Sequence, residues 1–235
     1  MAKRKRVTWG GWDLPILFED KDLIAISKPS GLLTVPIHKS QAISAEFILN
    51  QATKDSDSPI KAVHRIDRYT TGVVLFSKSR WAYQKMVKHF LSHEPIRTYL
   101  CWVHGVVGPD SGELIHYMKL IKAQFKNILA DEKSGGERAR LTYKVLHRYA
   151  DATQVEVQLD TGFKNQIRVQ FSAIGHPIIG ERIYVEKPDE LLDRQALHAF
   201  TLEIIHPRTQ KPLVMKAPMA ADLEKLDKRL FNLSK

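Results

Sequence analysis

The chain has 235 residues, a net charge of +10 at pH 7 and a sequence pI near 9.6. Hydrophobic residues make up 43% of the chain, enough to bury one substantial core divided into at most two small domains. The positive charge favours a polyanionic partner, although a basic surface can also serve solubility alone. Cys101 is the only cysteine, which excludes a disulfide framework and a CxxC metal or redox site.

The N terminus is basic from Lys3 to Arg6 and is not followed by an apolar stretch. A signal peptide is therefore not predicted, and no run of residues approaches the length needed to cross a membrane. We expect a cytoplasmic protein with no membrane contact. Residues 1–15 are expected to form a basic arm that adds affinity for phosphate, or simply a disordered terminus.

The first half of the chain predicts two strands and two helices. Residues 23–27 have strand composition, and Ala42 to Ala52 place apolar side chains at the spacing of one helical face. Val73 to Ser77 form a run typical of a strand buried on both faces. Ser79 is a suitable N-cap for a helix that continues to about residue 92. The buried stripe of that helix is predicted to contain Ala82, Tyr83, Met86, Val87, Phe90 and Leu91.

The second half of the chain predicts mainly strands. Residues 99–107 are rich in strand formers, whereas residues 120–140 form the most loop-like stretch. Many strands with few helices between them indicate an α+β fold with a mixed, largely antiparallel sheet and flanking helices and loops. The remaining predicted elements are strands at residues 141–147, 153–159, 199–205 and 213–217, and a final helix with Leu223, Leu226 and Leu230 at helical spacing.

One carboxylate lies between two arginines, ahead of the predicted buried strand. Asp67 follows Arg65 and precedes Arg68, and the Thr-Thr-Gly sequence at residues 70–72 predicts a tight turn. A carboxylate that acts on a polyanion needs cations beside it and a rigid mount beneath it. Taken alone, the pattern also fits an aspartate that hydrogen-bonds its own turn, so it does not define a site.

Five blocks of sequence follow one another from about residue 16 to about residue 219. They contain, in order, Lys28-Pro29-Ser30-Gly31, His64-Arg65-Ile66-Asp67-Arg68, Arg97-Thr98-Tyr99-Leu100, Gln166-Ile167-Arg168-Val169 and Leu197-His198-Ala199-Phe200. In this order they resemble the RluA-type RNA pseudouridine synthases over nearly the whole chain. The resemblance implies the catalytic fold of that family over residues 16–235, without the separate N-terminal RNA-binding module that some relatives carry.

The resemblance implies that the chain isomerises specific uridines of ribosomal or transfer RNA to pseudouridine. This reaction breaks the bond from C1′ to N1 and rejoins the base through C5, so neither a cofactor nor a metal is expected. The expected partner is structured RNA, such as a stem-loop, bound by a monomeric protein. A catalytically silent RNA-binding protein on the same fold is the alternative. The sequence leaves open which uridine is modified, and whether the carboxylate acts as nucleophile or base.

The resemblance also implies roles for individual residues. Asp67 is the candidate catalytic carboxylate, and Arg168 is the cation expected to pair with it. Tyr99 is expected to stack on the detached uracil, and Arg65 to fill the space left by an extruded nucleotide. Ile167 is expected to line the pocket floor. Without the resemblance, Tyr99 and Ile167 fit ordinary strand residues of a core, and Arg65 fits a surface phosphate contact.

The fourth block departs from the family pattern. Relatives usually show Thr-Gly-Arg-x-His-Gln-(Ile/Leu)-Arg-Val-His, whereas Phe163, Lys164, Asn165 and Gln170 here replace the first arginine, the next residue and both histidines. Arg168 is retained, so we expect the chemistry to be retained. We expect the replaced positions to lie next to the RNA face, where they would change the choice of target.

Other chemistries find little support in the sequence. His64 precedes the candidate acid by three residues, but the chain has no Gly-x-Ser-x-Gly elbow for a hydrolase triad. It has no Walker loop, and its histidines lack ligand spacing, so nucleotide and metal sites are not predicted. An enzyme for free nucleosides is disfavoured by the positive charge.

Overall fold

The computed structural model describes residues 5–37, 42–53, 58–124 and 126–234. The chain divides into two compact units, unit 1 (Met1–Ile96 with Ala199–Met219) and unit 2 (Arg97–His198 with Ala220–Lys235). The helices are α1 (Ala45–Ala52), α2 (Arg80–Leu91), α3 (Gln166–Ala173) and α4 (Ala221–Leu233). The strands are β1 (Arg6–Trp9), β2 (Trp12–Glu19), β3 (Leu23–Lys28), β4 (Lys61–Ala62), β5 (Thr71–Ser77), β6 (Ile96–His104), β7 (Ser111–Ile121), β8 (Lys126–Leu129), β9 (Glu137–Arg148), β10 (Ala152–Leu159), β11 (Leu197–Ile205) and β12 (Pro212–Lys216).

The strands pair largely in the antiparallel sense, and the predicted α+β fold with a mixed sheet and flanking helices is confirmed. Within the described ranges, no helix combines the length and the apolar character that crossing a membrane requires. The sequence predicted one catalytic domain over residues 16–235. The division into two compact units does not test whether they act as one catalytic domain, so that stays a prediction.

Residues from Arg6 onward form strands that the sequence did not predict, while the role of residues 1–15 as a basic arm stays a prediction. β1 and β2 form an antiparallel hairpin in which Arg6 lies opposite Pro15. Gly10 and Gly11 have φ values of 54° and 81° and close its turn. Lys3 and Arg4, the remainder of the expected basic run, lie outside the described residues.

Unit 1 is organised around β3 and β5. β5 is buried at every position, as its apolar run predicted, and pairs antiparallel with β3. The hairpin of β11 and β12 extends the sheet beside β5. The short strand β4 pairs with the end of β5, at Phe76 and Ser77. The core contains Leu23, Ala25, Val73, Leu75, Ala82, Met86, Leu202, Ile204, Met215 and Ala217.

The two helices of unit 1 begin at capped residues. Ser79 is the N-cap of α2, as predicted, and its side chain accepts a hydrogen bond from the Ala82 N–H. Ser44 caps α1 in the same way, so this helix begins three residues later than the sequence predicted. The predicted buried stripe of α2 is too wide. Its Ala82 and Met86 are fully buried, whereas Leu91 is 75% exposed because the helix contacts the core along a narrow face.

Unit 2 contains an antiparallel ladder in the order β6, β10, β9, β7, β8. The predicted loop at residues 120–140 is only partly right, because residues 120–121, 126–129 and 137–140 belong to β7, β8 and β9. These strands carry many exposed polar residues, so they lack the apolar run that marks a buried strand. Gly135, in the left-handed region with φ 81°, closes the turn before β9.

The C-terminal helix α4 contacts the rest of unit 2 through carboxylates as well as apolar side chains. Its buried residues are Leu223, Leu226 and Leu230, as the helical spacing predicted. The indole of Trp102 and the hydroxyl of Tyr149 both donate to Asp227. Asp222, in the first turn, accepts two bonds from the Arg194 guanidinium at 2.6 and 2.9 Å.

Gly72 lies inside β5, and not in the turn that the sequence predicted. Its φ is 114°, a region that only glycine adopts without strain. A Cβ atom at this position would lie 2.1 Å from the Ala199 carbonyl oxygen, within unit 1. The glycine therefore permits close contact between β5 and β11.

We predict that Gly72→Ala lowers the free energy of unfolding by more than about 3 kcal/mol, because it combines backbone strain with a clash against a main-chain atom. Urea denaturation followed by circular dichroism measures this change. Gly108→Ala is the matched control, since nothing lies within 4 Å of its added Cβ. A Gly72→Ala protein as stable as the Gly108→Ala protein would contradict the role assigned to Gly72.

Candidate active site

The backbone that follows Asp67 is held by a buried lysine. Lys28, 1% exposed, donates from Nζ to the carbonyls of Pro29 at 2.9 Å, Leu32 at 2.8 Å and Arg68 at 2.9 Å. The Arg68 carbonyl also accepts from the Gly31 N–H at 3.0 Å. The Lys-Pro-x-Gly block of the sequence thus forms a loop that fixes the residue directly after the candidate acid.

The backbone that precedes Asp67 is held by Thr34. Its hydroxyl donates to the Ile66 carbonyl at 3.0 Å and accepts from the Ile66 N–H at 3.3 Å. The Thr70 N–H donates to the Asp67 carbonyl at 3.1 Å, which closes the predicted turn. Asp67 is half-buried on this turn, so its carboxylate is carried by a backbone fixed on both sides.

His64 has a structural role in unit 1. Its Nε2 accepts a hydrogen bond from the Leu75 N–H at 3.0 Å, which places the proton of the neutral ring on Nδ1. The ring also stacks on Phe90, with centroids 4.8 Å apart and an interplanar angle of 14°. These contacts do not suit a general base paired with Asp67. Arg65 is exposed beside the acid, as a residue that contacts RNA must be.

The other three predicted site residues belong to unit 2. Tyr99 lies on β6 opposite Val157 and is 8% exposed. Ile167 and Arg168 are buried on α3, so the description of Ile167 as a strand residue is wrong. Asn165 occupies the N-cap position with φ 59°, which asparagine tolerates better than most residues and which lets the helix begin here.

Arg168 forms a buried ion pair that the sequence did not predict. Its Nε and Nη2 atoms donate to Glu181 at 2.6 and 2.7 Å. The Arg168 side chain is 6% exposed and that of Glu181 is fully buried. A guanidinium presents five N–H donors in a planar fork, so this contact is compatible with a second carboxylate partner.

The charge of Glu181 is stabilised in the folded protein. Desolvation acts to raise its pKa, but the hydrogen bond and charge of Arg168 and the N–H groups of Ile183 and Arg182 outweigh it and hold the pKa below the ordinary value. A lowered pKa means that this carboxylate contributes stability above the pKa of the unfolded chain. That contribution is lost as the pH falls through the lower folded-state value.

The altered residues of the fourth block mostly face the interior of unit 2, and the expectation that they lie next to the RNA face stays a prediction. Gln170 is fully buried, and its amide nitrogen donates to the Leu114 carbonyl of β7 at 3.0 Å. Asn165 is buried, and its Oδ1 accepts from Tyr184 at 3.2 Å. Phe163 is half-buried against the core, and only Lys164 is exposed.

Asp20, Asp22 and His206 bring potential metal ligands within 4.8 Å of one another in unit 1. Their hydrogen bonds give them another role. His206 Nδ1 accepts from the N–H groups of Arg208 and Thr209, both at 3.2 Å, so the proton is on Nε2 and is donated to Asp20 at 2.8 Å. Asp22 accepts two bonds from the Arg208 guanidinium. The group ties the β2–β3 turn to the β11–β12 hairpin.

The structure places Arg65 and Asp67 two residues apart in unit 1, with Asp67 beginning the turn, and Tyr99, Ile167 and Arg168 in unit 2. The pairing of Asp67 with Arg168 stays a prediction. Sequence reasoning missed Thr34 and Glu181, and it gave Lys28 no role. No local pattern in the sequence marks Glu181 as the partner of a buried arginine.

Comparisons with known proteins identify the family. The sequence model described as RNA pseudouridylate synthase matches residues 22–173. The chain is 32% identical over 212 residues to the dual-specificity RNA pseudouridine synthase RluA of Pasteurella multocida, covering 88% of this chain and 94% of that protein. It is 30% identical over 223 residues to the uncharacterized RNA pseudouridine synthase YlyB of Bacillus subtilis, covering 93% of this chain and 73% of that protein.

A solved structure agrees on the fold. The chain matches human RNA Pseudouridylate Synthase Domain Containing 4 with a TM-score of 0.76 at 21% identity, covering 92% of each chain. The protein therefore belongs to the RluA-type RNA pseudouridine synthases, which are isomerases that act on RNA.

We predict that Arg168→Met lowers the free energy of unfolding by about 3–5 kcal/mol, because it leaves the Glu181 carboxylate buried without its cation. Urea denaturation measures the loss. The double variant Arg168→Met/Glu181→Leu should recover most of it, since replacing both partners of a buried pair by apolar groups is often neutral. We also expect Arg168→Met to abolish turnover while RNA binding is mostly kept. An active Arg168→Met protein as stable as wild type would contradict both statements.

Proposed function

We propose that this protein isomerises uridine in ribosomal or transfer RNA, and that Asp67 is the catalytic carboxylate. The observation that carries the proposal is the fixed backbone around Asp67. Thr34 hydrogen-bonds the residue before it, and Lys28 hydrogen-bonds the residue after it. A carboxylate that must meet the same atoms of every substrate requires such a fixed backbone. Arg65 and Arg68 beside it supply the positive charge that a phosphate backbone requires.

Arg168 is proposed to pair with Asp67 and to hold it ionised, as the resemblance implies. Tyr99 is proposed to stack on the uracil after the bond from C1′ to N1 breaks, Ile167 to line the pocket, and Arg65 to occupy the space left by the extruded nucleotide. Extrusion costs a few kcal/mol, and stacking offsets about 1–3 kcal/mol of it. Whether Asp67 attacks the sugar, attacks the base or removes a proton is left open.

The substrate is proposed to be a structured stem-loop, bound by a monomeric enzyme in the cytoplasm. The relatives include a dual-specificity and a ribosomal large subunit pseudouridine synthase, so both RNA classes stay open. The comparisons do not favour a catalytically silent RNA-binding protein. That alternative was motivated by the altered fourth block, most of which faces the interior of unit 2.

The first functional prediction concerns Asp67. Asp67→Asn should abolish tritium release from 5-[³H]uridine-labelled RNA, because an amide can neither attack nor act as a base at this position. The RNA is taken from a strain that lacks the gene, so the target uridine is unmodified. Asp151→Asn, a change of an exposed carboxylate, is the matched control and should release tritium normally. Normal turnover by Asp67→Asn would overturn the assignment.

The same strain identifies the substrate. Mass-spectrometric mapping of its RNA should show one or a few missing pseudouridines, which the wild-type gene restores and the Asp67→Asn gene does not. A site in ribosomal RNA, in transfer RNA or in both would name the target class. A complete set of pseudouridines in the deletion strain would favour the silent RNA-binding protein.

A second functional prediction concerns Tyr99, which is buried on β6 with 8% of its surface exposed. Tyr99→Phe keeps the ring and should show a measurable defect in turnover, while Tyr99→Leu keeps bulk without the ring and should show a severe defect. Both are measured by single-turnover tritium release, with melting temperature as the control for packing. If both variants turn over like wild type and only melt at lower temperature, Tyr99 is a core residue alone.

A further inference from the structure

Glu181 is a buried carboxylate that directly follows the Ile-Ile-Gly sequence at residues 178–180, and its own loop holds it in place. Its Oε1 accepts from the N–H groups of Arg182 at 2.9 Å and Ile183 at 2.8 Å, and its own N–H donates to the Ile178 carbonyl at 3.0 Å. The carboxylate is therefore anchored to main chain independently of Arg168. In this pair, Glu181 is the fixed partner and the long arginine side chain is the one that is oriented.

The loop that carries Glu181 is fixed in turn. Gly180 has φ 76°, and a Cβ added to it would lie 2.0 Å from the Arg194 carbonyl oxygen, so only glycine fits. The Gly180 N–H donates to Asp189 Oδ2 at 2.7 Å, and Asp189 also accepts from His104 at 2.8 Å. The backbone on which Glu181 stands is thus attached to β6 through His104.

A second contact holds the face of the same guanidinium. The Tyr184 ring centroid lies 5.3 Å from Cζ of Arg168 in a cation–π contact. The Tyr184 hydroxyl donates to Asn165, the residue that begins α3. Arg168 is therefore held at its Nε–Nη2 edge by Glu181 and on its face by Tyr184.

A guanidinium is planar and rigid. One contact at its edge and one on its face therefore fix the orientation of the whole group, and with it the direction of its other N–H donors. Donors that are oriented before the substrate arrives need no reorganisation during the reaction. A misplacement of 1 Å in such an arrangement can cost about 100-fold in rate. Arg168 has the support that this kind of positioning requires.

We propose that Glu181 is a positioning residue for catalysis, which sets the direction in which Arg168 presents its donors to the reacting carboxylate. The inference rests on the proposed function, in which that carboxylate is Asp67. The competing explanation is that Glu181 only compensates the charge of a buried arginine. The two explanations differ in what happens when the charge is kept and its position is moved.

Glu181→Asp makes that change, since it keeps the negative charge and shortens the side chain by one methylene group. Glu181→Gln removes the charge as well. The matched control is Asp222→Asn, because Asp222 also accepts two bonds from a buried arginine of unit 2, Arg194. Each protein is assayed for kcat and KM by tritium release from 5-[³H]uridine-labelled RNA of the deletion strain, and for melting temperature.

We expect Glu181→Asp to melt close to wild type and to lose at least about 10-fold in kcat, with KM within about twofold, because the arginine is misplaced and RNA binding is untouched. Glu181→Gln should lose at least as much kcat and also melt at lower temperature. Asp222→Asn should melt at lower temperature with kcat within about twofold of wild type.

Wild-type kcat in folded Glu181→Asp would overturn the positioning role, even if Glu181→Gln failed to fold. A raised KM with unchanged kcat would also overturn it, because that result would assign Glu181 to RNA binding. Failure of the proposed function looks different, since the wild-type protein itself would then release no tritium. Loss of kcat in Glu181→Asp beside normal turnover in Asp222→Asn supports the proposal.

Discussion

The turn that carries Asp67 depends on one buried ammonium group. An ammonium without partners is costly to bury, and Lys28 offsets that cost by donating to three carbonyls that belong to its own loop and to the Asp67 turn. The lysine thereby joins its own loop to the turn that carries the acid. The position of the candidate acid is thereby tied to β3 and β5, the most buried strands of unit 1.

Unit 2 uses a buried cation in a different way. The ammonium group of Lys28 is a compact charge that donates to main-chain carbonyls, and it tolerates a wide range of bond directions. Arg168 is a planar group held at one edge by Glu181 and on one face by Tyr184, so its direction is determined. The first arrangement suits a residue that supports a turn. The second suits a residue that must meet another charged group at a set angle.

The elements that sequence reasoning predicted correctly carry strong local signals. β5 is an uninterrupted apolar run, α2 begins at a serine cap, and α4 repeats leucine at helical spacing. β7 and β8 were missed because their exposed residues hide the apolar alternation. The site was predicted only as far as the family resemblance extended. The partner of Arg168 could not be predicted, because no local pattern states which carboxylate a buried arginine meets.

The departures in the fourth block have a physical explanation in the packing around α3. Gln170 joins the helix to β7 through a buried amide, where a charged imidazole would need a partner of its own. Asn165 supplies the left-handed residue at the helix start and accepts the bond from Tyr184 that steadies the face of Arg168. Asn165 therefore supports the arginine from within unit 2, whereas Gln170 fixes the helix against the sheet. Of the four altered residues, Lys164 alone is exposed, so a direct effect on the choice of RNA would fall mainly on that side chain.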